Sequence, residues 1–516
     1  MQVVIHRPTV SGARLWIQAE LKERGWSLEV RDGEQVVHAW SPDERDPDHL
    51  MTNVAPRSTD TRIWFVDLAG LTPGTEYTVW YLPRRSAWSR EDGDRVVASF
   101  RTLPTSLRDQ PFRVLLASCY CEDRDERGQT GSLLTRAAPP RWARPTLGVG
   151  RRLRRARVAL SSLLRTGPPS GEPTGRVAAR YQDVRRLGLR PDVKFLVGDQ
   201  VYLDAPYRDF LLPMGQSRMK RHISRTYSRT WEKLNHLLAH GGNFFVTDDH
   251  EFWNNYPANP LAWITLLRRR TRERWELHAR DFLHKVQDTQ RTVGFDIGPD
   301  GRELAFFLAD TRVRRQRPRW PWSPVERFMA EDDFGELLAW IRGLDVPGVL
   351  VTGQPLLAPA RDFFPRLLDR GLPDHADQYR RLCDALASAG HDVLILSGDV
   401  HYARYARVTL TDRAHVLHEL VASPLTLLPA AGNHFGAGPE GEGPEHTSPF
   451  PLDGEPLGTA TYSDPLRGSG DPCRDHFMIL EFGRSGDGAV TVDVSVHLVR
   501  PEDGAAPTPP GPLVLR

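Results

Sequence analysis

Six short apolar runs that end abruptly in polar residues constrain the fold of this 516-residue chain more than any other feature. They are FRVLLASC, DVKFLVGD, NFFVTDDHE, LAFFLAD, GVLVTG and DVLILSGDVH. Because each run is continuously apolar rather than alternating, it is typical of a strand that is buried on both faces. Helical patterns lie between the runs, so the sequence predicts an α/β fold with two packed sheets or one large layered sheet.

Residues 1–105 show a different pattern, in which apolar and polar residues alternate between short turns. The stretch WFVDLAGLTPGTEYTVWYLP combines two such strands with a Leu-Thr-Pro-Gly turn. It resembles fibronectin-type sandwiches, in which the tyrosine packs at a sheet corner. We therefore expect a small fibronectin/Ig-like β-sandwich accessory domain over residues 1–105 and the α/β domain over residues 112–516.

The composition excludes several classes of protein. A formal net charge of +2 gives no reason to expect a nucleic-acid partner. Four cysteines are too few for a disulfide framework and fit a reducing compartment. The chain has neither a signal-peptide pattern nor a long uninterrupted apolar segment, so we expect a cytoplasmic location.

Two further segments are predicted to be irregular. Residues 137–175 are strongly basic and contain RRLRRARVALSSLL. This pattern is compatible with an amphipathic helix on a membrane surface or an acidic partner, but we favour a solvated insertion loop with a short helix. Residues 430–464 are rich in glycine and proline and are predicted to form a long loop.

Residues that can bind metal ions follow four of the apolar runs. They are Cys119 and Cys121 in VLLASCYC, Asp199, Tyr202 and Asp204 in FLVGDQVYLD, Asp248, Asp249, His250 and Glu251 in FFVTDDHEFW, and Asp399 and His401 in LILSGDVHYAR. In open α/β sheets, ligands bind at the carboxyl ends of the strands. The sequence therefore predicts a metal site there, although each motif alone also has a purely structural interpretation.

The chemistry of these residues indicates the kind of ion. The adjacent carboxylates of Asp248 and Asp249, flanked by apolar residues, would repel one another without a cation between them. A phenolate such as that of Tyr202 prefers a hard trivalent ion such as iron. A thiolate at Cys119 would be a soft ligand for iron or zinc, with Cys121 as its less favoured rival.

The motifs, taken in order, resemble the PhoD-like alkaline phosphatases of the calcineurin-like metallophosphoesterase superfamily, which is related to the purple acid phosphatases. The resemblance rests on Ala-Ser-Cys, Gly-Asp-x-x-Tyr-x-Asp, Asp-Asp-His-Glu, Asp-Thr-Arg and Gly-Asp-Val-His, and covers most of the chain. It implies a layered metallophosphoesterase-type α/β sandwich after the N-terminal β-sandwich. Members of the family are often exported, which differs from the location expected from the sequence alone.

The resemblance also implies a bimetal or trimetal centre. Its first metal would be Fe³⁺, held by Cys119, Asp199, Tyr202 and His401. The second metal would be Ca²⁺ or another divalent ion, and Asp199 would bridge the two metals. The remaining ligands of this second ion would be Asp249 and Asp399.

The implied reaction is hydrolysis of a phosphoester, in which a hydroxide held between the metals attacks phosphorus in line. His250 would protonate the leaving alkoxide, with Glu251 or Asp248 orienting it. Arg312 would offset charge on the phosphoryl oxygens, or else form a structural pair with Asp310.

Two other functions stay open at this point. The nearest is a phosphodiesterase or phospholipase D-like hydrolase on the same core, with the basic insertion and the extra loops holding a larger substrate. The other is a non-catalytic binding protein that retains the fold. No ligand position of the pattern is lost in this sequence, which argues against the second.

Overall fold

The computed structural model describes most of the chain. The residues outside the description are 21–24, 43–46, 52–60, 84–92, 109, 123–124, 126–174, 206–209, 211–213, 259–263, 290, 299–302, 321–322, 359–369, 412, 427–445, 453, 467–473 and 502–505. The basic insertion predicted at 137–175 therefore lies outside the described residues, apart from Gly175.

The described residues form 22 strands and six α-helices. The strands are β1 (Gln2–His6), β2 (Gly12–Glu20), β3 (Trp26–Asp32), β4 (Gln35–Trp40), β5 (His49–Met51), β6 (Thr61–Ala69), β7 (Glu76–Pro83), β8 (Arg95–Arg101), β9 (Phe112–Ala117), β10 (Val193–Val197), β11 (Gly242–Val246), β12 (Thr292–Ile297), β13 (Leu304–Ala309), β14 (Gly348–Thr352), β15 (Val393–Ser397), β16 (Arg404–Leu410), β17 (Val416–Val421), β18 (His446–Phe450), β19 (Gly458–Ser463), β20 (His476–Arg484), β21 (Val490–Leu498) and β22 (Leu513–Leu515). The helices are α1 (Arg176–Arg186), α2 (Gln216–Ala239), α3 (Ile264–Leu267), α4 (Arg269–Phe282), α5 (Glu331–Arg342) and α6 (Ala376–Ala387).

Two large mixed sheets form the centre of the molecule. One has ten strands in the order β22-β21-β20-β9-β10-β11-β1-β2-β6-β5, and the other has eight in the order β12-β13-β14-β15-β17-β16-β19-β18. The six apolar runs of the sequence are β9, β10, β11, β13, β14 and β15, and these strands are parallel to their partners within the set. The predicted α/β fold class, with two packed sheets, is confirmed.

Successive side chains of the central strands face different layers, as the two-residue period of a strand requires. Phe195 of β10 packs between the two sheets together with Phe306 of β13. The next residue, Leu196, faces a layer that contains α1, α2 and α4. On the far side of the second sheet, α5 and α6 pack against β13, β14 and β15. The order of layers is therefore helix, sheet, sheet, helix, which explains why these strands are apolar on both faces.

The N-terminal β-sandwich shares a sheet with this core. Its four-stranded sheet, in the order β4-β3-β7-β8, packs on β1, β2 and β6. Strand β1 continues the ten-stranded sheet, because His6 pairs in parallel with Asn243 of β11. The tyrosine of the fibronectin-like turn is buried, and the Tyr77 hydroxyl accepts a hydrogen bond from the backbone N–H of Thr72 at 2.8 Å.

The prediction of a loop over residues 430–464 is wrong for its second half. Residues 427–445 lie outside the described part of the chain, but β18 and β19 form an antiparallel hairpin. Strand β19 alternates buried and exposed residues and pairs with β16. The glycine and proline content of the flanking residues hid this short alternating pattern. Among the described helices, none combines the length and apolar content that a membrane crossing requires.

Replacing Phe306 with alanine tests the contact between the sheets. The Phe306 ring is fully buried and stacks on Phe295 with centroids 4.7 Å apart. We expect a loss of about 3–5 kcal/mol in the free energy of unfolding, because the cavity cannot close between two rigid sheets. Urea unfolding followed by tryptophan fluorescence measures this loss. Leu277→Ala, at a side chain that is 65% exposed, is the control and should change stability by less than about 0.5 kcal/mol. Equal effects of the two substitutions would contradict the tight packing.

Candidate metal centre

The strand ends of both sheets meet at one edge and bring the predicted ligands together. Cys119 follows β9, Asp199 follows β10 and Asp249 follows β11, all in the ten-stranded sheet. Asp399 and His401 follow β15 of the facing sheet. The candidate centre therefore lies between the two sheets at the carboxyl ends of their parallel strands.

Four of these residues have a left-handed backbone conformation. The φ angles are 58° at Cys119, 55° at Asp199, 67° at Asp399 and 58° at His401. Non-glycine residues rarely adopt positive φ, and each such residue costs about 1–3 kcal/mol. This conformation persists only where the surrounding structure enforces it, and such residues cluster at functional sites.

Two glycines allow the loops that carry the ligands to approach closely. Gly198 precedes Asp199, has φ of 88°, and a Cβ added to it would lie 2.6 Å from the Asp248 Cβ. A Cβ on Gly398, which precedes Asp399, would lie 2.3 Å from the Ser118 Cβ. Any side chain at either position would push these loops apart.

The first group of potential ligands combines sulfur, nitrogen and oxygen. Ligand atoms of Cys119, Asp199 and His401 lie within 4.8 Å of one another. The Tyr202 hydroxyl is 3.3 Å from Asp199 Oδ2 and 3.3 Å from His401 Nε2. Ser423 Oγ donates to Cys119 Sγ at 3.2 Å. All four ligands that the resemblance implied for the first ion are therefore near neighbours.

The remaining ligands form two further groups. One contains Asp199, Asp249 and His250, and the other contains Asp248, Asp249 and Asp399, each with ligand atoms within 4.8 Å. Because Asp199 and Asp249 each belong to two groups, the three groups form one continuous cluster. The group around Asp248 offers only carboxylate oxygens, and Asp248 was not among the ligands that the resemblance implied.

The electrostatics of the cluster fit a bound cation. Burial raises the pKa of Asp199 well above its usual range, and the neighbouring Cys119 and Asp249 raise it further. Burial likewise raises the pKa of Asp248, and burial raises the pKa of the Cys119 thiol to about 12. Oδ2 of Asp248 has no hydrogen-bond partner among the described residues. Buried carboxylates of this kind are stabilised in their charged form by a metal ion.

Glu251 supports the loops of the centre from behind. Its carboxylate accepts hydrogen bonds from the backbone N–H groups of Asp199 at 3.2 Å, Gln200 at 2.7 Å and Asp248 at 3.0 Å. Burial raises its pKa to about 7, although these hydrogen bonds lower it. Glu251, which the sequence suggested as a catalytic residue, is thus placed to fix the loops after β10 and β11.

His250 pairs with Asp204. Its Nδ1 lies 2.7 Å from Asp204 Oδ1, and Asp204 Oδ2 accepts from the backbone N–H of Asn254 at 2.8 Å. The prediction that Glu251 or Asp248 orients His250 is therefore wrong, because the carboxylates of both are engaged elsewhere. Burial lowers the pKa of His250, but Asp204 and the nearby aspartates outweigh burial and raise it well above its usual range.

Arg312 is fully buried beside the acidic cluster. Its Nε donates to the Asp248 carboxylate, one of its terminal nitrogens donates to the Tyr256 carbonyl at 3.1 Å, and the other lies 3.8 Å from Asp249 Oδ1. Asp310 accepts from the backbone N–H of Arg312 at 2.8 Å. The guanidinium is therefore directed at Asp248 and Asp249, and the suggested side-chain pair with Asp310 is not the arrangement found.

Gln354, which the sequence analysis missed, holds one of the aspartates. Gln354 Nε2 donates to Asp399 Oδ2 at 2.8 Å, and the buried Arg315 donates to Gln354 Oε1 at 2.7 Å. Arg315 thereby determines which end of the amide faces Asp399. The signal was present, because Gln354 follows the apolar run GVLVTG just as the ligands follow theirs.

The fold is similar to that of a protein of known structure. The solved structure of PhoD superimposes with a TM-score of 0.56 at 14% sequence identity, over 98% of this chain and 88% of that chain. A crystal structure of Ruminococcus gnavus beta-glucuronidase matches with a TM-score of only 0.24 at 11% identity, over 77% of this chain and 61% of that chain, which is too low to indicate a shared fold. No protein-family model and no curated protein matches the sequence. The chain has a PhoD-like fold, as the order of its motifs predicted.

Removing the Gln354 amide should weaken metal binding. In Gln354→Leu, Asp399 loses its hydrogen-bond donor, and we expect divalent-ion affinity to fall about 10- to 100-fold. Titration of the metal-free protein with Ca²⁺ in a calorimeter measures this. Gln378→Leu is the matched control, because Gln378 is equally buried but donates to Met329 O far from the cluster. It should lower stability without changing affinity, and an unchanged affinity in Gln354→Leu would refute the assignment.

Proposed function

We propose that this chain is a metal-dependent phosphoester hydrolase, and specifically a phosphatase of the PhoD type. The observation that carries the proposal is the continuous cluster of Cys119, Asp199, Asp249, Asp399 and His401 at one edge of a PhoD-like fold. A structural role for so many buried acidic groups is disfavoured, because their repulsion would cost stability without a cation.

The ligand types suggest which ions are bound. A ferric ion would be held by Cys119, Asp199, Tyr202 and His401, since the oxygen of a phenolate and the sulfur of a thiolate are both suitable donors to iron. Asp199 and Asp249 would share the second ion with Asp399. Oxygen ligands favour a hard ion such as Ca²⁺ there.

Bound ions would supply a polarised phosphoryl oxygen and a water of lowered pKa. The protein's own groups have separate tasks. His250 faces the cluster, carries a raised pKa and is held by Asp204, so it is suited to donate a proton to the leaving oxygen. Arg312 is fully buried, so we assign it the positioning of Asp248 and Asp249 rather than contact with substrate.

Metal analysis of two variants tests the cluster. Asp199→Ala should lose phosphoesterase activity and both metals together, because Asp199 belongs to two ligand groups. Cys119→Ser should lose iron selectively, and Cys383→Ser, which removes another buried thiol in α6, is the control. Elemental analysis beside assays with mono- and diester substrates gives the readout. The iron-loaded protein should also absorb visible light through Tyr202, and Tyr202→Phe should not. Unchanged iron in Cys119→Ser would move the ligand to Cys121, and full retention of metal and activity in Asp199→Ala would reject the proposal.

Asp204→Asn tests the proton donor. Asp204 is the largest influence that raises the pKa of His250, so its neutral replacement should lower that pKa. Because His250 must be protonated to act as an acid, activity should be lost at a lower pH than in the wild type. Above the lowered pKa, loss of general-acid catalysis should reduce kcat by about 10²- to 10⁴-fold for alkyl esters, and less for p-nitrophenyl esters, whose leaving group needs no proton. Metal content should stay unchanged. An unshifted alkaline limb with equal losses for both esters would exclude this role.

A further inference from the structure

Arginine is concentrated around the start of helix α4. The sequence LLRRRTRERWELHARDF places Arg268, Arg270 and Arg274 in exposed positions, whereas the whole chain has a formal net charge of only +2. A run of charges on a helix is usually just a solvated face, so the arginines alone identify no partner. Two further observations give this face a specific chemistry.

The first observation is an apolar side chain within the arginine stripe. Residues 270, 274 and 277 lie on one side of α4, because they are spaced by four and three positions. Leu277 is 65% exposed there, although Trp275 and Phe282 of the same helix are buried against the core. A large apolar side chain is therefore held in solvent beside Arg274, and the two acidic neighbours on this side are already paired, Glu273 with Arg269 and Asp281 with Lys285.

The second observation is a loop that lies beside this side of the helix. Arg317 is 2.8 Å from Glu276 Oε2, and Arg280 of α4 donates to the carbonyl of Val313 at 2.9 Å. These contacts fix the loop that follows Arg312 along the chain against helix α4. Trp320, three residues after Arg317, is 55% exposed. The loop adds a second large apolar side chain and another arginine to the surface.

We propose that this surface, which we call the arginine face, docks on an anionic lipid bilayer. The arginine face comprises Arg268, Arg270, Arg274, Leu277, Arg317 and Trp320. Guanidinium groups pair with phosphate in a bidentate manner. Tryptophan and leucine side chains bury themselves at the level of the headgroups. A soluble polyanion would contact the arginines but gain nothing from two exposed apolar side chains, which favours a bilayer.

The arginine face adjoins the candidate metal centre. Tyr256 connects them, because its carbonyl accepts from Arg312 and its hydroxyl donates to Glu276 of α4 at 2.8 Å. Docking would therefore place the part of the protein that carries the candidate centre near the bilayer surface. The docking itself does not depend on the proposed hydrolase function.

Vesicle sedimentation of the full chain tests the proposal. The probes are vesicles of phosphatidylcholine alone and vesicles of three parts phosphatidylcholine to one part phosphatidylglycerol, at about 0.1 M salt, where screening is moderate. The wild type should bind only the anionic vesicles. Arg268→Gln/Arg270→Gln/Arg274→Gln should reduce binding about 100-fold, since each basic residue near an anionic surface contributes about fivefold. The double variant Leu277→Ser/Trp320→Ser should reduce it about tenfold, through the lost apolar insertion.

The matched control removes three exposed arginines elsewhere, as Arg186→Gln/Arg190→Gln/Arg291→Gln. It should bind like the wild type. The proposal is overturned if the wild type does not bind anionic vesicles, or if the control loses as much binding as the arginine-face variant. It is also overturned if the Leu277/Trp320 variant binds like the wild type, which would indicate a polyanion site. Hydrolysis of a small soluble phosphoester should be equal in all these variants; its absence in every protein would reject the hydrolase function and leave the sedimentation result intact.

Discussion

The mutual repulsion of four clustered aspartates at one edge of two facing sheets is the constraint on which the local structure depends. Asp199, Asp248 and Asp249 are buried where water cannot screen them, and the half-buried Asp399 adjoins them, so each raises the free energy of its charged neighbours. The sheet edge tolerates this repulsion where protons or a cation neutralise part of the charge, and the surrounding structure must hold the carboxylates in place against the remainder. The strained backbone at Asp199 and Asp399 is consistent with such enforcement.

The surrounding side chains hold the aspartates by different means. Arg312 contributes a full charge and therefore offsets part of the repulsion between Asp248 and Asp249. Gln354 contributes only a dipole, so it can orient Asp399 without competing with a metal ion for its charge. Glu251 acts one step further away, because it fixes backbone N–H groups rather than ligand atoms. The net result is a cluster in which Arg312 offsets part of the charge and the remaining carboxylates are left to protons or to a bound cation.

Local sequence predicted which side chains meet at the sheet edge, because their placement after the strands is a local property. A buried strand followed by glycine and aspartate puts the carboxylate at a sheet edge, as at Asp199 and Asp399, whatever the rest of the fold does. The partners of these residues depend on which loops meet across the two sheets. His250 contacts Asp204 rather than Glu251, and Asp399 accepts a hydrogen bond from Gln354, which follows a different strand. No spacing in the sequence encodes either contact. The continuity of β1 with β11 and the β18–β19 hairpin were missed for the same reason.

The two charge distributions of the protein act over different distances. The acidic cluster is buried, so its interactions are strong but reach only the groups that touch it. The arginine face lies in solvent, where salt screens charges beyond about 8–10 Å. Arginines at the surface can therefore attract an anionic partner while leaving the ionisation of the cluster to Arg312 and the ligands themselves. A single chain can thus combine a buried acidic cluster with a cationic surface, and here Tyr256 contacts the residues next to both.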